Sequence, residues 1–172
     1  MNWLFLNHIF LERALRATAF AQFAVAILNL FLIRIMKWKP DLERAPLLIR
    51  EVFRIHVVFI SITLSIFGAL TWRFAYEIAN GASPLAIWLA AAVGLFWLVR
   101  SAMQWLHYSA SHWHGNSLRT LIHWSLFLGY GAMAAVYFAA AYRFIAREIH
   151  GRATLCGATN RVHPLLQNAV AK

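Results

Sequence analysis

Charge is what this chain of 172 residues has least of: 13% of it is Asp, Glu, Lys or Arg, where a soluble domain of this size carries about a quarter. Acidic residues are scarcest, with 6 in all. There is one cysteine, Cys156, which excludes an intramolecular disulfide and any CxxC metal knuckle. The chain has no HExxH and none of the repeated HxxxH and HxxHH pairs of membrane di-iron oxygenases. It also offers no nucleophile–base pair and no glycine loop to cradle a phosphate. Internal repeats and low-complexity tracts are missing too. The opening stretch MNWLFLNHIFLERALR is not expected to be a cleaved signal peptide. It has no basic region ahead of its apolar part and no small-residue cleavage pattern before the first long apolar run.

What is there is apolar. Hydrophobic residues make up 62% of the chain, with 8 Trp and 13 Phe, and the mean hydropathy is +0.60. Four runs carry no charge: residues 17–33 between Arg16 and Arg34, 55–72 between Arg54 and Arg73, 78–99 between Glu77 and Arg100, and 120–142 between Arg119 and Arg143. A helix crosses a bilayer core with roughly 17–25 apolar residues, and each run meets that length. The expectation is an all-α integral membrane protein with four transmembrane helices at about 14–35, 54–76, 84–107 and 119–143. Residues 1–145 would form the membrane domain and 146–172 a polar C-terminal tail, loosely ordered or held by a partner. Trp3, Phe5 and Phe10 suit a short interfacial N-terminal segment. The segment REVFRIHVVFISITLSIFGALTWRFA has the look of a bacterial inner-membrane span, an impression that carries no function.

A net charge of +10 invites a nucleic-acid reading, but the cations do not gather into a soluble domain. Arg34, Lys37, Lys39, Arg44, Arg50 and Arg54 flank the first connection, and Arg143, Arg147 and Arg152 follow the last run. Such juxtamembrane positions meet anionic lipid head groups or partner subunits. The expected partners are therefore membrane lipids and other membrane proteins, with no nucleic acid. Four spans place both termini on one side, and the Lys and Arg residues then divide evenly between the two sides. Orientation is undecided by that count.

Local signals mark the helix boundaries. Ser83 can cap and Pro84 can begin the third span. In KWKPDLERAPLLIREVFR, Asp41 can cap a short surface helix, and Ala45-Pro46 either interrupts it or starts the second span's own extension. Small and polar residues mark the faces that pack in a membrane. They point to Ala19, Gln22, Ala26 and Asn29 in the first span, Ser61, Ser65 and Gly68 in the second, and Ala86, Ala90, Gly94 and Ser101 in the third. In the fourth, Gly131, Ala135 and Ala139 form a stripe that continues back through Phe127 to His123.

The polar residues of interest collect at the end where the third span leaves the membrane. Arg100 lies sixteen residues after Pro84, roughly 24 Å along a helix and so about one turn inside a core about 30 Å thick. Gln104 and His107 continue its stripe towards the surface. An ionisable residue at this depth marks a functional site, although an arginine there also reaches the head groups by snorkelling. In HYSASHWHG, His107, His112 and His114 lie close together, and the topology brings His56 and His123 to the same level. Imidazole suits zinc, copper and iron, so His107, His112 and His114 are candidate metal ligands. His56, His107, His123, Arg100 and Gln104 are candidate cofactor-binding residues, for haem, a chlorophyll-type pigment, copper or zinc, or a quinone. The competing reading is ordinary interfacial histidine, common because the ring is amphipathic. Carboxylates near the group are few: Glu51 has Arg54 three residues on, and Asp41 and Glu43 lie further off.

Three functions fit. The first is a non-catalytic, accessory subunit of a larger bioenergetic or redox membrane complex. The second is a small redox or cofactor-binding module, and the third an enzyme on a lipid or isoprenoid substrate with Arg100 as head-group anchor. The first is favoured by the small size, the missing catalytic motif and the basic flanks.

Overall fold

A computed structural model describes the backbone of residues 3–106 and 117–170, and the side chains of residues 8–106 and 120–149. Helix α1 spans Trp3–Ile35. It is one continuous helix, so the aromatic N-terminal segment forms its first turns. The chain leaves α1 through Lys37, whose φ is 55°, and a short helix α2 follows at Lys39–Arg44. Asp41 lies within the first turn of α2, and Trp38 holds the capping position without a side-chain hydrogen bond. Ala45 is extended, as a residue before proline should be, and Pro46 precedes α3, Leu47–Asn80. Helix α3 therefore begins seven residues ahead of the expected 54, because nothing after Pro46 breaks the helix.

Gly81 ends α3 in the left-handed conformation with φ 60°, its amide bonding to the carbonyl of Ile78 at 3.2 Å. This is a glycine requirement twice over, since a Cβ there would also lie 2.7 Å from Cδ2 of Phe144. Helix α4, Pro84–Leu106, starts as expected: the amide of Ala86 donates to Oγ of Ser83 at 3.2 Å. Helix α5 is Ser117–Val170, 54 residues long. The segment expected as a polar tail after 146 continues α5 as helix up to Val170.

Four of these helices contain a stretch long and apolar enough to cross a membrane: His8–Ile35, Leu47–Asn80, Pro84–Leu106 and Thr120–Ile149. The protein is an all-α membrane protein with four such helices, and no strand occurs among the described residues. In lipid every backbone amide and carbonyl must be satisfied within its own helix.

The helices associate as two pairs. Helix α1 lies along α3 and α4 along α5, while contact between the pairs is much thinner. In the first pair the expected faces meet. Ala19, Gln22 and Ala26 of α1 are buried, as are Ser61 and Gly68 of α3. A Cβ on Gly68 would sit 3.1 Å from Phe23 and 3.2 Å from the Ala19 carbonyl, the close backbone approach that small residues permit. Asn29 ties the same pair, its Nδ2 donating to the Val57 carbonyl and to Ser61 Oγ, both at 2.9 Å.

The second pair follows the expectation on one side only. Ala86, Ala90, Gly94 and Ser101 of α4 are buried against α5. On α5, however, Ala135 and Ala139 are exposed and Gly131 is half-buried. The buried stripe is His123, Tyr130, Met133, Ala134, Tyr137, Ala140 and Ala141. The reason is complementarity. A helix that offers small residues leaves space, and dense packing fills it with large side chains from its neighbour. A Cβ on Gly94 would lie only 3.0 Å from Cβ of Tyr137.

The hydrogen bonds that cross between the pairs lie towards the Asn80–Ser83 turn, with one aromatic contact near mid-helix. Gln22 of α1 donates to Tyr137 Oη, and Tyr137 also bonds to Thr71 of α3, all three side chains being buried. Arg147 donates to the Asn80 carbonyl at 3.0 Å, and the rings of Phe67 and Phe96 meet edge-on at 5.1 Å. Three ion pairs form within single helices, at Glu12–Arg16, Lys39–Glu43 and Arg73–Glu77. Glu51 and Arg54 are exposed and do not pair.

Candidate functional site

At the end of α4 away from that turn, three polar side chains form a chain of hydrogen bonds. Arg100 Nη1 donates to Gln104 Oε1 at 3.1 Å, and Gln104 Nε2 lies 3.0 Å from His123 Nδ1. Their placement follows from helix geometry. Positions 97, 101 and 104 share one face of α4, so Trp97, Ser101 and Gln104 are buried against α5. Arg100 stands at the edge of that face, one turn before Gln104, and is half-buried. On α5, residues 123, 130 and 137 repeat every seven positions, two turns apart, and all three point at the same partner helix.

The polarity of the chain is set by chemistry. An arginine only donates, so the Gln104 oxygen must face Arg100 and its NH2 must face His123. Nδ1 of His123 then accepts from that amide. His123 is thus a hydrogen-bonding element of the network.

Aromatic side chains wall the group in. The Arg100 guanidinium sits 4.9 Å from the centroid of the Tyr130 ring, and Trp97 stacks on Tyr130 at 5.2 Å with an interplanar angle of 27°. Trp105 and Trp124 meet at 5.7 Å and both contact Phe127. Ser101 Oγ donates to the Phe127 carbonyl at 3.2 Å, closing the α4–α5 contact beneath. The cation–π contact holds the guanidinium beside the protein, where a snorkelling arginine would extend to water.

Of the residues singled out in the sequence, Arg100, Gln104 and His123 are brought together. His56 is exposed on α3, in the other helix pair, and no hydrogen bond among the described side chains joins it to the group. Its neighbour Val57 is the residue buried against α1, and one step along a helix turns a side chain by about 100°. His107, His112 and His114 lie outside the described residues, and so does the metal site proposed for them. Among the described residues no group of three or more His, Cys, Asp or Glu side chains is arranged to hold a metal ion.

Two participants went unread in the sequence. Tyr130 holds the guanidinium, and Tyr137 is the hub that Gln22 and Thr71 share. The seven-residue repeat 123–130–137 was the available signal, and it was masked by the small-residue stripe 131–135–139. Comparison with protein-family models, with curated proteins and with solved structures finds no match to this chain.

Proposed function

We propose that this protein is a non-catalytic, accessory subunit of a larger membrane complex, bioenergetic or redox in character and housed in a bacterial cytoplasmic membrane. The observation that carries the reading is the length of α5. Its membrane-crossing stretch is Thr120–Ile149, yet the helix continues to Val170, which adds roughly 30 Å at 1.5 Å per residue. Most of a helix's stability in a protein comes from packing against a neighbour, and a partner subunit supplies that cover. Basic residues along the extension, Arg152 and Arg161, suit an acidic partner surface or anionic lipid.

The test is extraction of the intact chain in mild detergent, followed by native mass spectrometry of the particle, with a variant truncated after Ile149 in parallel. The reading expects a fixed stoichiometry with another membrane protein that the truncation abolishes. A monodisperse monomer for both forms overturns it. A second reading, a cofactor-binding module, is favoured by one observation, the burial of His123 at the end of a polar chain. A visible spectrum, metal content and quinone extraction of the same material separate the two.

A further inference from the structure

The cation at the head of this hydrogen-bond chain has no anion of its own. Arg100 makes one side-chain hydrogen bond, to a neutral amide, and one ring contact. A guanidinium carries five N–H donors, so four have no acceptor among the described residues. The helix pair that carries Arg100 has no carboxylate near it in sequence. From residue 78 to residue 147 the sequence contains neither Asp nor Glu, while it holds Arg100, Arg119, Arg143 and Arg147. A partly buried cation at membrane depth is costly unless it is paired, and no described carboxylate of this chain, Glu51 included, pairs with Arg100.

Beside Arg100 the outer flank of α4 forms an open apolar groove of about 430 Å³, lined by Ala92, Leu95, Phe96, Val99, Arg100 and Met103. These positions recur at helical spacing and run along the helix axis. From Ala92 to Arg100 the apolar wall is about 12 Å long. It lies on the membrane-interior side of the guanidinium, near the seam where Phe96 touches Phe67 of the other pair. An apolar trough that leads inward from an unneutralised cation matches one amphiphile in shape and charge. We propose that a single anionic phospholipid occupies it, with its phosphate on Arg100 and an acyl chain along the groove.

Each part of the site has a role in that complex. Gln104 and Tyr130 fix the guanidinium, so little side-chain freedom is lost on binding. The Nε and Nη2 edge of Arg100 remains free to meet two phosphate oxygens in the forked geometry that arginine favours. The net charge of the lipid matters because no carboxylate stands by to receive the ammonium of a zwitterionic head group.

The test uses the full chain in detergent, titrated with phosphatidylglycerol, phosphatidylcholine or inorganic phosphate and read by native mass spectrometry. One phosphatidylglycerol is expected to be retained in preference to phosphatidylcholine. Arg100→Gln should weaken that retention about five- to tenfold, the effect of one interfacial cation, and Arg100→Lys should recover part of it. Ala92→Trp fills the groove without touching the cation, and it should weaken retention while leaving Arg100 in place. Helical circular dichroism on each variant separates lost binding from lost fold. Equal retention of the two lipids, or Arg100→Gln indistinguishable from the parent, overturns the proposal. Full competition by millimolar inorganic phosphate, or no effect of Ala92→Trp, overturns it as well, by reducing the site to an anion site without an acyl groove. Disulfide trapping of a second copy or another protein across Val99→Cys, at the expense of lipid retention, assigns the groove to a protein partner instead.

Discussion

The two polar centres of this bundle each turn on a buried glutamine and do different things. Near the turn, Gln22, Thr71 and Tyr137 come from three helices and join the two pairs through one phenol oxygen. At the other end, Arg100, Gln104 and His123 come from the two helices of a single pair and end in a cation at the bundle's flank. The first centre is neutral and closed: Tyr137 and Gln22 are fully buried. The second is charged and half-open. In a membrane, where water cannot compete, a neutral hydrogen bond between helices is a fastening. A cation without a counter-ion instead marks a place for something else. The same element, α5, carries both, with Tyr130 standing between them.

That contrast can be broken by mutation. Tyr137→Ala removes a fully buried ring and strands two polar partners. It should cost about 3–5 kcal/mol, read as a lowered midpoint in denaturant titration followed by tryptophan fluorescence. His123→Ala should cost less, about 1–3 kcal/mol, because it disturbs one pair and leaves the seam intact. Equal losses would dissolve the distinction between fastening and site.

A double-mutant cycle sharpens the comparison. His123 and Tyr137 are fourteen residues apart on α5, roughly 21 Å, so Tyr137→Phe and His123→Phe should add to within about 0.5 kcal/mol. Gln104→Leu and His123→Phe share one hydrogen bond and should depart from additivity by about 0.5 kcal/mol or more. The smallest effect is expected on the outer face of α5. Ala135→Leu should lie within about 0.5 kcal/mol of the parent, since Ala135 is exposed. A large loss there would restore the small-residue stripe as the packing face.

Much of this arrangement is legible in the residues alone. The Ser83–Pro84 start, the break at Ala45–Pro46 and the inward faces of α1, α3 and α4 follow from capping chemistry, proline sterics and small-residue packing. Arg100 with Gln104 is readable as an i, i+4 stripe. Three features are not. The burial of Tyr130 and Tyr137 depends on α4 having already offered its small side, which no property of α5 reveals. The exposure of His56 depends on which neighbour α3 chooses. The helical course of α5 to Val170 runs through Gly151, Gly157 and Pro164, residues whose individual preferences oppose it.

By itself, then, the sequence determines that this chain is a set of four membrane-crossing helices and that the third of them begins at Pro84. The cause is the obligation of every backbone polar group to be satisfied within a helix once water is gone. Only the tertiary structure decides that the helices group two by two, that one tyrosine joins the groups, and that Arg100 is left facing an apolar groove without a counter-ion. Lipid is as apolar as leucine, so hydrophobicity does not choose between faces of a helix in a membrane. That choice is made by the fit of large side chains against small ones and by the few hydrogen bonds between helices.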